Sequence, residues 1–362
     1  MGQPQRADTR DAVPEGISVV VPAYNAIGYL ARCLEPLGQS PGAEVIVVDD
    51  GSSDGTADLA RSLGAKVVEL PRNMGRGPAR NAGAAAASHD WLLFVDADVV
   101  IHGDTLDRFR KAFRDAPAME AVFGSYDTAP ADPAFFSQYR NLLHHHVHQI
   151  AGPTAAHFWT GLGAVRRTAF DRVGGFDEGP WARYMEEIDF GAKLVRAGVT
   201  IHVRPDIQCT HLKDYTLITM IKSDLFDRAI PWSRYIMQAA GGPANGFVVS
   251  HRQKVTVMGS GFMALAPLLV WFWPAALASF LFGSALLIGA NMSLWRFFLR
   301  ERGFVFMLKT MPCYAVYGLC CGSGYAWTLL TFELLRRLTG RARGADPTGP
   351  REKSGRSLGS PV

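Results

Sequence analysis

From residue 17 to 95 the chain alternates short, continuous apolar runs with stretches whose apolar positions recur at helical spacing. Residues 17–21 are β-branched and apolar apart from Ser18, up to Pro22, and after Asn25 the residues Ile27, Leu30, Leu34 and Leu37 mark one face of a helix. Residues 45–48 form a second run ending in Asp49-Asp50-Gly51, and a helix opens within 53–60. Residues 66–70 read as a third strand, followed by a Gly-rich turn and by Pro78 at a first helical position ahead of 79–87. Residues 91–95 are a fourth strand, ending in Asp96-Ala97-Asp98. Four repeats of strand, loop and helix predict an α/β fold, Rossmann-like, with a mostly parallel sheet, helices on both faces and right-handed crossovers.

Over 127–160 the pattern weakens, with Pro130, Pro133, Pro153 and the run His144-His145-His146-Val147-His148, which predicts helix and loop rather than sheet. Order returns over 161–170. Residues 185–197 read as a helix with Glu186, Glu187 and Asp189 in its first turn, where the helix dipole favours carboxylates, and 200–203 as a late strand. Residues 217–235 mix Lys222, Asp224, Asp227, Arg228 and Arg234 with apolar residues at helical spacing, as an interfacial helix does. Residues 255–295 then contain no acidic or basic side chain other than histidine over about forty positions, long enough for two crossings of a bilayer. The cluster Trp271-Phe272-Trp273-Pro274 predicts a turn between spans 255–273 and 274–295, hence a C-terminal transmembrane hairpin. Residues 311–335, rich in small side chains, could form a third span. Arg252 and Lys254 before the hairpin and Arg296, Arg300 and Arg302 after it place both ends in the cytosol. A third crossing would leave Arg336, Arg337, Arg341 and Arg343 outside against the same rule, so two spans and three both stay open.

Composition agrees with this division. Of 362 residues 48% are hydrophobic, an excess concentrated in the last third. The expected organisation is a disordered N-terminus at 1–15, a catalytic domain at 16–215, interfacial helices at 216–254, transmembrane helices at 255–338 and a disordered tail at 339–362. Residues 1–15 lack the apolar core and cleavage site of a signal peptide, which predicts a multi-pass protein of the cell inner membrane with a cytoplasmic catalytic domain. Five cysteines without paired spacing predict reduced thiols, with neither zinc nor disulfides. A formal charge of +4, much of it near the apolar spans and in the tail, suits an anionic membrane face better than nucleic acid.

In open parallel sheets ligands sit beyond the carboxyl ends of the strands, where Asp49, Asp50, Asp96 and Asp98 fall. Asp96 and Asp98, two positions apart, project to one side and could share a hard cation, Mg2+ or Mn2+, with a diphosphate; strand-end aspartates that merely cap turns are the competing reading. Asp49-Asp50-Gly51-Ser52-Ser53-Asp54-Gly55 could accept hydrogen bonds from a base or ribose, or could be a capped turn in solvent.

Taken with Pro22-Ala23-Tyr24-Asn25, Asn73-Met74-Gly75, Ala79-Arg80-Asn81, Phe94-Val95-Asp96-Ala97-Asp98 and Val173-Gly174-Gly175-Phe176-Asp177-Glu178, in order over residues 17–212, these motifs resemble family 2 glycosyltransferases of GT-A fold, in particular membrane-anchored bacterial members. The resemblance implies that Pro22, Tyr24 and Asp50 hold the nucleotide base and ribose of a UDP-sugar, with Asn25, Asp49 and Asn73 beside them and Arg80 near the diphosphate. It implies that Asp96 touches ribose and metal and that Asp98 is the principal metal ligand. The family places a Glu-Asp pair after Gly-Gly-Phe-Asp-Glu; here the segment reads Met185-Glu186-Glu187-Ile188-Asp189, so Glu187 takes the position of the catalytic base on a stem one methylene longer, with Glu186 beside it as the second catalytic candidate. His211 falls where relatives carry a metal- or diphosphate-reaching histidine, against a helix-capping or core-edge role. Trp159-Thr160-Gly161 and Arg166-Arg167 fall where members line the acceptor pocket, although a packed core Trp competes. The histidine run reads as a polar acceptor-side or surface helix rather than a ligand cluster, because only His144 and His148 share a face.

The expected activity is metal-dependent, inverting transfer of one sugar from a nucleotide-sugar to a lipid-linked or membrane-presented acceptor. A polysaccharide synthase is the alternative, disfavoured because Asp227 to Trp232 lacks the Gln-x-x-Arg-Trp signature. A non-catalytic nucleotide-sugar-binding scaffold is the alternative of another class, favoured only by Glu187 in place of Asp.

Overall fold

The structure is a computed structural model that describes residues 16–179, 182–238 and 250–339; the disorder expected at 1–15 and after residue 339 lies outside them. The strands are β1 (Ile17–Ala23), β2 (Ala43–Asp49), β3 (Lys66–Glu69), β4 (Trp91–Val95), β5 (Val99–Ile101), β6 (Ala121–Tyr126), β7 (Thr154–Ala155), β8 (Leu162–Arg166) and β9 (Ile201–His211). They form one sheet in the order β3-β2-β1-β4-β8-β6-β9-β5, with β7 also paired to β9.

The four strands anticipated from apolar runs are mutually parallel, β1 and β4 being buried throughout. Beyond β4 the sheet is mixed. β8 runs antiparallel to both β4 and β6, β6 parallel to β9, and β5 and β7 antiparallel to β9. The strands β5, β6 and β7 have no counterpart in the hydrophobic reading: β5 and β7 are three and two residues long, and β6 interrupts its apolar run with Gly124 and Ser125. Gly124 is required there, since a Cβ would lie 2.3 Å from the Ile207 carbonyl oxygen. The late strand begins near the expected residue but continues to His211. Its pairing with β5 sets Val99 opposite His211, directly beside the end of β4.

Helix Arg76–Ala86 starts earlier than Pro78 suggested, leaving the proline within the first turn, where its missing N–H is tolerated. Helix Ala182–Arg196 also begins early, so Glu186 and Glu187 lie past its first turn and gain less from the dipole than expected. Trp91 anchors the core at the start of β4, stacked on Phe113 at 3.5 Å with Arg166 over its ring.

The predicted hairpin is present with shifted limits. Helix His251–Leu265 passes through the 3-10 segment Ala266–Phe272 into helix Trp273–Ala290, and the two arms lie against each other. Their closest approach uses Gly259 and Gly283, where a Cβ on either would meet the other's carbonyl oxygen at under 3 Å. Trp271 at the tip is 92% exposed and Trp273 70%, unlike any soluble core aromatic. The second arm ends at Asn291, whose amide donates to Thr256 Oγ1 (2.9 Å) and accepts from Tyr314 (3.1 Å). Trp295 therefore belongs to the next helix, Met292–Arg302, whose Leu294, Trp295, Phe297 and Phe298 pack with Tyr139, Leu142 and Leu143. Helix Phe304–Thr339 follows. Segments His251–Ala290 and Phe304–Thr331 are long and apolar enough to cross a membrane.

The expected interfacial stretch is helical from Leu217 to Gln238, but Ser223–Ala229 is wound as a π-helix and Asp224 is buried, so this is not a simple amphipathic surface helix.

Phe298 is fully buried where the apolar helices meet the helix Phe135–Gln149. Phe298→Ala is expected to cost about 3–5 kcal/mol, and the neighbouring exposed Leu299→Ala within about 0.5 kcal/mol, compared by thermal unfolding of the full chain in detergent.

Candidate active site

The loops after β1 and β2 are stitched together before any ligand is considered. Asn25 adopts φ +48, a left-handed conformation that Asn tolerates, and its side-chain oxygen accepts from Ser53 N (3.0 Å) while its own N–H donates to Ser52 Oγ (2.9 Å). Asp50 accepts from the backbone N–H groups of Met74 (2.7 Å) and Gly75 (2.9 Å), so it fixes the turn that follows Asn73. Gly51 beside it has φ +73, and a Cβ would lie 2.5 Å from the Arg72 backbone, which excludes every other residue without a shift. Asp49 accepts from Ser52 N (3.2 Å), and its second oxygen is buried without a partner among the described residues. Tyr24 is half exposed and lines, with Asp50 and Asn73, one end of a cleft of about 820 Å3. Pro22, Asn25 and Asp49 do not line it; they hold the strand ends and loops behind it.

Arg80 is fully buried at the centre of the site. Its guanidinium donates to Asp96 Oδ1 (2.8 Å) and to Glu186 Oε1 (3.2 Å), and lies over the Phe176 ring. The sequence placed Arg80 near a diphosphate, yet its charge is committed to these two carboxylates and it does not line the cleft. Arg76, one turn earlier on the same face, does. It is half exposed and pairs with Glu186 at 2.8 Å. Sequence reasoning missed Arg76, although its spacing of four from Arg80 and its place directly after Gly75 were the available signal. Glu186, read beside Glu187 as a catalytic group, is 1% exposed at the cleft wall; its Oε1 is tied to both arginines and its Oε2 is buried without a hydrogen-bond partner among the described residues, so it is poorly placed for proton transfer beside the exposed Glu187. Burial pushes its carboxyl up against the pull of Arg76 and Arg80.

Glu187 faces the cleft, with one carboxylate oxygen held by Thr160 through both the hydroxyl and the backbone N–H, while Phe158 N donates to the Glu187 carbonyl (3.2 Å). Thr160 is fully buried and acts through Glu187. Trp159 is largely buried, edge-on to Tyr126 at 4.8 Å and against His148 at 4.6 Å, and still lines the cleft. Gly161 lets that ring lie flat on the backbone, since a Cβ would come within 2.4 Å of it. Arg166 and Arg167 are not in the cleft. Arg166 stacks on Trp91, and Arg167 donates to the carbonyls of Ala84, Ala87 and His89.

Asp96 and Asp98 both line the cleft, each about a quarter exposed. Burial raises the Asp96 carboxyl, opposed by Arg80 and reinforced by Asp98 and Glu187. Burial acts on Asp98 too, but the neighbouring imidazole N–H of His211, then Lys213, hold it below its usual range. His211 Nε2 lies 3.6 Å from Asp98 Oδ2, its ring stacked on Tyr126 at 4.5 Å. No three His, Cys, Asp or Glu residues converge as a ready metal cage among the described residues. Two or three side-chain donors in an open cleft still fit a hard cation such as Mg2+ or Mn2+, which takes its remaining oxygens from phosphate and water.

The histidine run lies inside the molecule rather than on its surface. His144 and His148 line the cleft, as their shared face predicts, while His145 and His146 pack on Phe297. Past them the cleft continues along Arg140, Arg228 and Trp232 to Arg252, Gln253, Tyr314 and Tyr317 of the apolar helices.

Known proteins resemble the chain in sequence and in fold. Residues 18–174 match the profile of glycosyl transferase family 2. An uncharacterized glycosyltransferase of Haemophilus influenzae is 27% identical over 194 residues, which is 50% of this chain and 62% of that protein. Succinoglycan biosynthesis protein ExoO of Rhizobium meliloti is 37% identical over 117 residues, 31% of this chain and 33% of its own. The chain thus spans less than two thirds of the length of these relatives. The mannosyltransferase PcManGT from Pyrobaculum calidifontis, solved in complex with GDP-Man and Mn2+, superposes with a TM-score of 0.50 at 20% identity over 94% of this chain and 92% of its own, a likeness of fold.

Burial holds His144, His146 and His148 below the usual imidazole range, with Arg252 adding to it at His146 (about 4) and His157 at His148 (about 3). In the unfolded chain they titrate near pH 6.5. Their folded values being depressed, the stability they contribute is complete above about pH 6.5 and is lost as pH falls towards 4. The Tm of the full chain is expected to fall between pH 7 and 4.5, and His148→Gln to flatten that dependence.

Proposed function

We propose, from the premise that the chain belongs to glycosyltransferase family 2 through residues 18–174, that it is an inverting glycosyltransferase moving one sugar from a nucleoside-diphosphate donor to an acceptor presented by a membrane. The observation that carries this reading is one continuous cleft. It runs from Tyr24, Asp50 and Asn73 past Asp96, Asp98 and Glu187 to residues of the apolar helices.

The base and ribose sit at the Tyr24 end, with the ring of Tyr24 as a stacking face and Asp50 within reach of hydroxyls. Asp98, with Asp96 and His211, holds the divalent cation. When bound, that cation neutralises the charge on the departing diphosphate. Arg76 supplies a further positive charge on the same side. Glu187 accepts the proton of the acceptor hydroxyl as its oxygen attacks the anomeric carbon opposite the leaving group, which inverts the configuration. Thr160 fixes which oxygen of Glu187 faces the substrate, and the longer Glu stem is accommodated because its far end is anchored. UDP is the first choice of donor nucleotide, from the resemblance in the motifs. GDP is the competitor, being the nucleotide of the structural neighbour. The hairpin with Trp271 and Trp273 at its tip is seated in the bilayer, and Arg252, Lys254, Arg296, Arg300 and Arg302 keep its ends and the catalytic domain on the cytoplasmic side.

Titration of the purified full chain with UDP and with GDP, each with and without Mn2+, is expected to show cation-dependent binding of one of them. Asp98→Ala is expected to abolish that dependence. Glu187→Gln should leave nucleotide affinity within about twofold while lowering kcat by about 10²–10⁴. Undiminished turnover in Glu187→Gln would remove the base assignment, and a ladder of products in place of one would favour a polysaccharide synthase.

A further inference from the structure

The far part of the cleft holds more positive charge than its own carboxylates neutralise. Arg140 is 1% exposed and donates through Nη2 to the buried Asp224 at 2.6 Å. Its Nε and Nη1 are buried without a hydrogen-bond partner among the described residues, although Arg140 lines the cleft. Arg228 also lines it, and its Nη1 donates to His144 Nε2 at 3.0 Å, so that the imidazole is the acceptor and carries no charge. Burial, then Arg228 and Arg140, keep His144 neutral. Two guanidiniums thus share one buried carboxylate; Asp227, also at the cleft, is exposed at its edge. An unpaired buried charge is costly, and a bare ion pair would not leave two donors of Arg140 idle. The segment that delivers Asp224 and Arg228 is the π-helical stretch Ser223–Ala229, a winding that recurs at functional sites. Beyond it the walls are Arg252 and Gln253 at the base of one apolar helix and Tyr314 and Tyr317 of another.

We propose that Arg140 and Arg228, with Arg252 at the rim, form a binding site for the phosphate that links a long-chain lipid to the acceptor sugar, whose hydroxyl is the group that meets Glu187, while the apolar tail leaves along the helices His251–Leu265 and Phe304–Thr339. A planar guanidinium fork matches phosphate oxygens, and the idle Nε and Nη1 of Arg140 are donors of the right kind. The identification of this lipid as the acceptor rests on the glycosyl-transfer reading; the phosphate site itself does not.

The test is binding to the full chain in detergent, followed by isothermal titration, of a ten-carbon prenyl phosphate, the matching prenol, inorganic phosphate and phosphatidylglycerol. The prenyl phosphate is expected to bind at least tenfold more tightly than the prenol or inorganic phosphate, and Arg228→Gln and Arg140→Lys to weaken it at least tenfold. Cation-dependent nucleotide binding in the same variants reports that they are folded. Equal binding of prenol and prenyl phosphate, or wild-type affinity in a folded Arg228→Gln, overturns the phosphate site. Inorganic phosphate as tight as the prenyl phosphate overturns the lipid, and phosphatidylglycerol as tight overturns the acceptor in favour of a bulk-lipid contact. If nucleotide binding fails in the wild type while prenyl phosphate still binds, the glycosyl-transfer reading falls and the phosphate site stands.

Discussion

The buried guanidinium of Arg80 is the constraint on which the site depends. It joins three elements that are remote in sequence: the helix that carries it, the end of β4 through Asp96, and the helix Ala182–Arg196 through Glu186. Removing one partner of such an arrangement leaves an uncompensated buried charge, at about 3–5 kcal/mol. The geometry of the cleft carboxylates is therefore set by folding and not by ligand. Glu187 is the next residue on the helix that Glu186 anchors, so the same contact that holds the helix also aims the neighbouring carboxylate. Catalysis by preorganised charge requires that kind of rigidity.

A division of labour among the carboxylates follows. Asp54 spends both oxygens, and Asp49 and Glu186 one each, on backbone N–H groups, hydroxyls or guanidiniums inside the fold. Asp50 stands between the two roles: its oxygens shape the turn of Met74 and Gly75 while its edge still faces the cleft. Asp96, Asp98 and Glu187 keep exposed surface in the cleft. The partition is topological. Strand ends of a parallel sheet deliver aspartates to one side, and the antiparallel return of β9 onto β5 brings His211 to Asp98 from more than a hundred residues away.

The first half of the fold was legible because strands covered on both faces are written as near-continuous apolar runs, and β1, β2 and β4 are close to that kind, while the edge strand β3 shows only Val67 and Val68 between charged ends. The mixed half was not, because β5 and β7 are too short to show a period and β6 contains Gly124 for a close backbone approach. The motif residues were brought to one place, but their tasks within it could not be read from spacing. Whether an arginine such as Arg80 meets a ligand or a carboxylate depends on which helix packs beside it, here one that begins a hundred residues later. Arg140, Arg228 and Tyr126 gave no motif at all; they matter only because the π-helical segment and the helix Phe135–Gln149 meet at the cleft.

Charge changes sign along that cleft, and this orders what can enter it. At the centre the four carboxylates of Asp96, Asp98, Glu186 and Glu187 outnumber the cations Arg76, Arg80 and Lys213, so a diphosphate meets net repulsion unless a cation accompanies it. At the far end Arg140 and Arg228 exceed Asp224, and an anion is favoured without a cation. On the proposed reading, a headgroup drawn to the basic end would be held back from Asp96 and Asp98 by the intervening carboxylates. On that reading the two substrates would thereby be kept at opposite ends of one passage, with Glu187 between them.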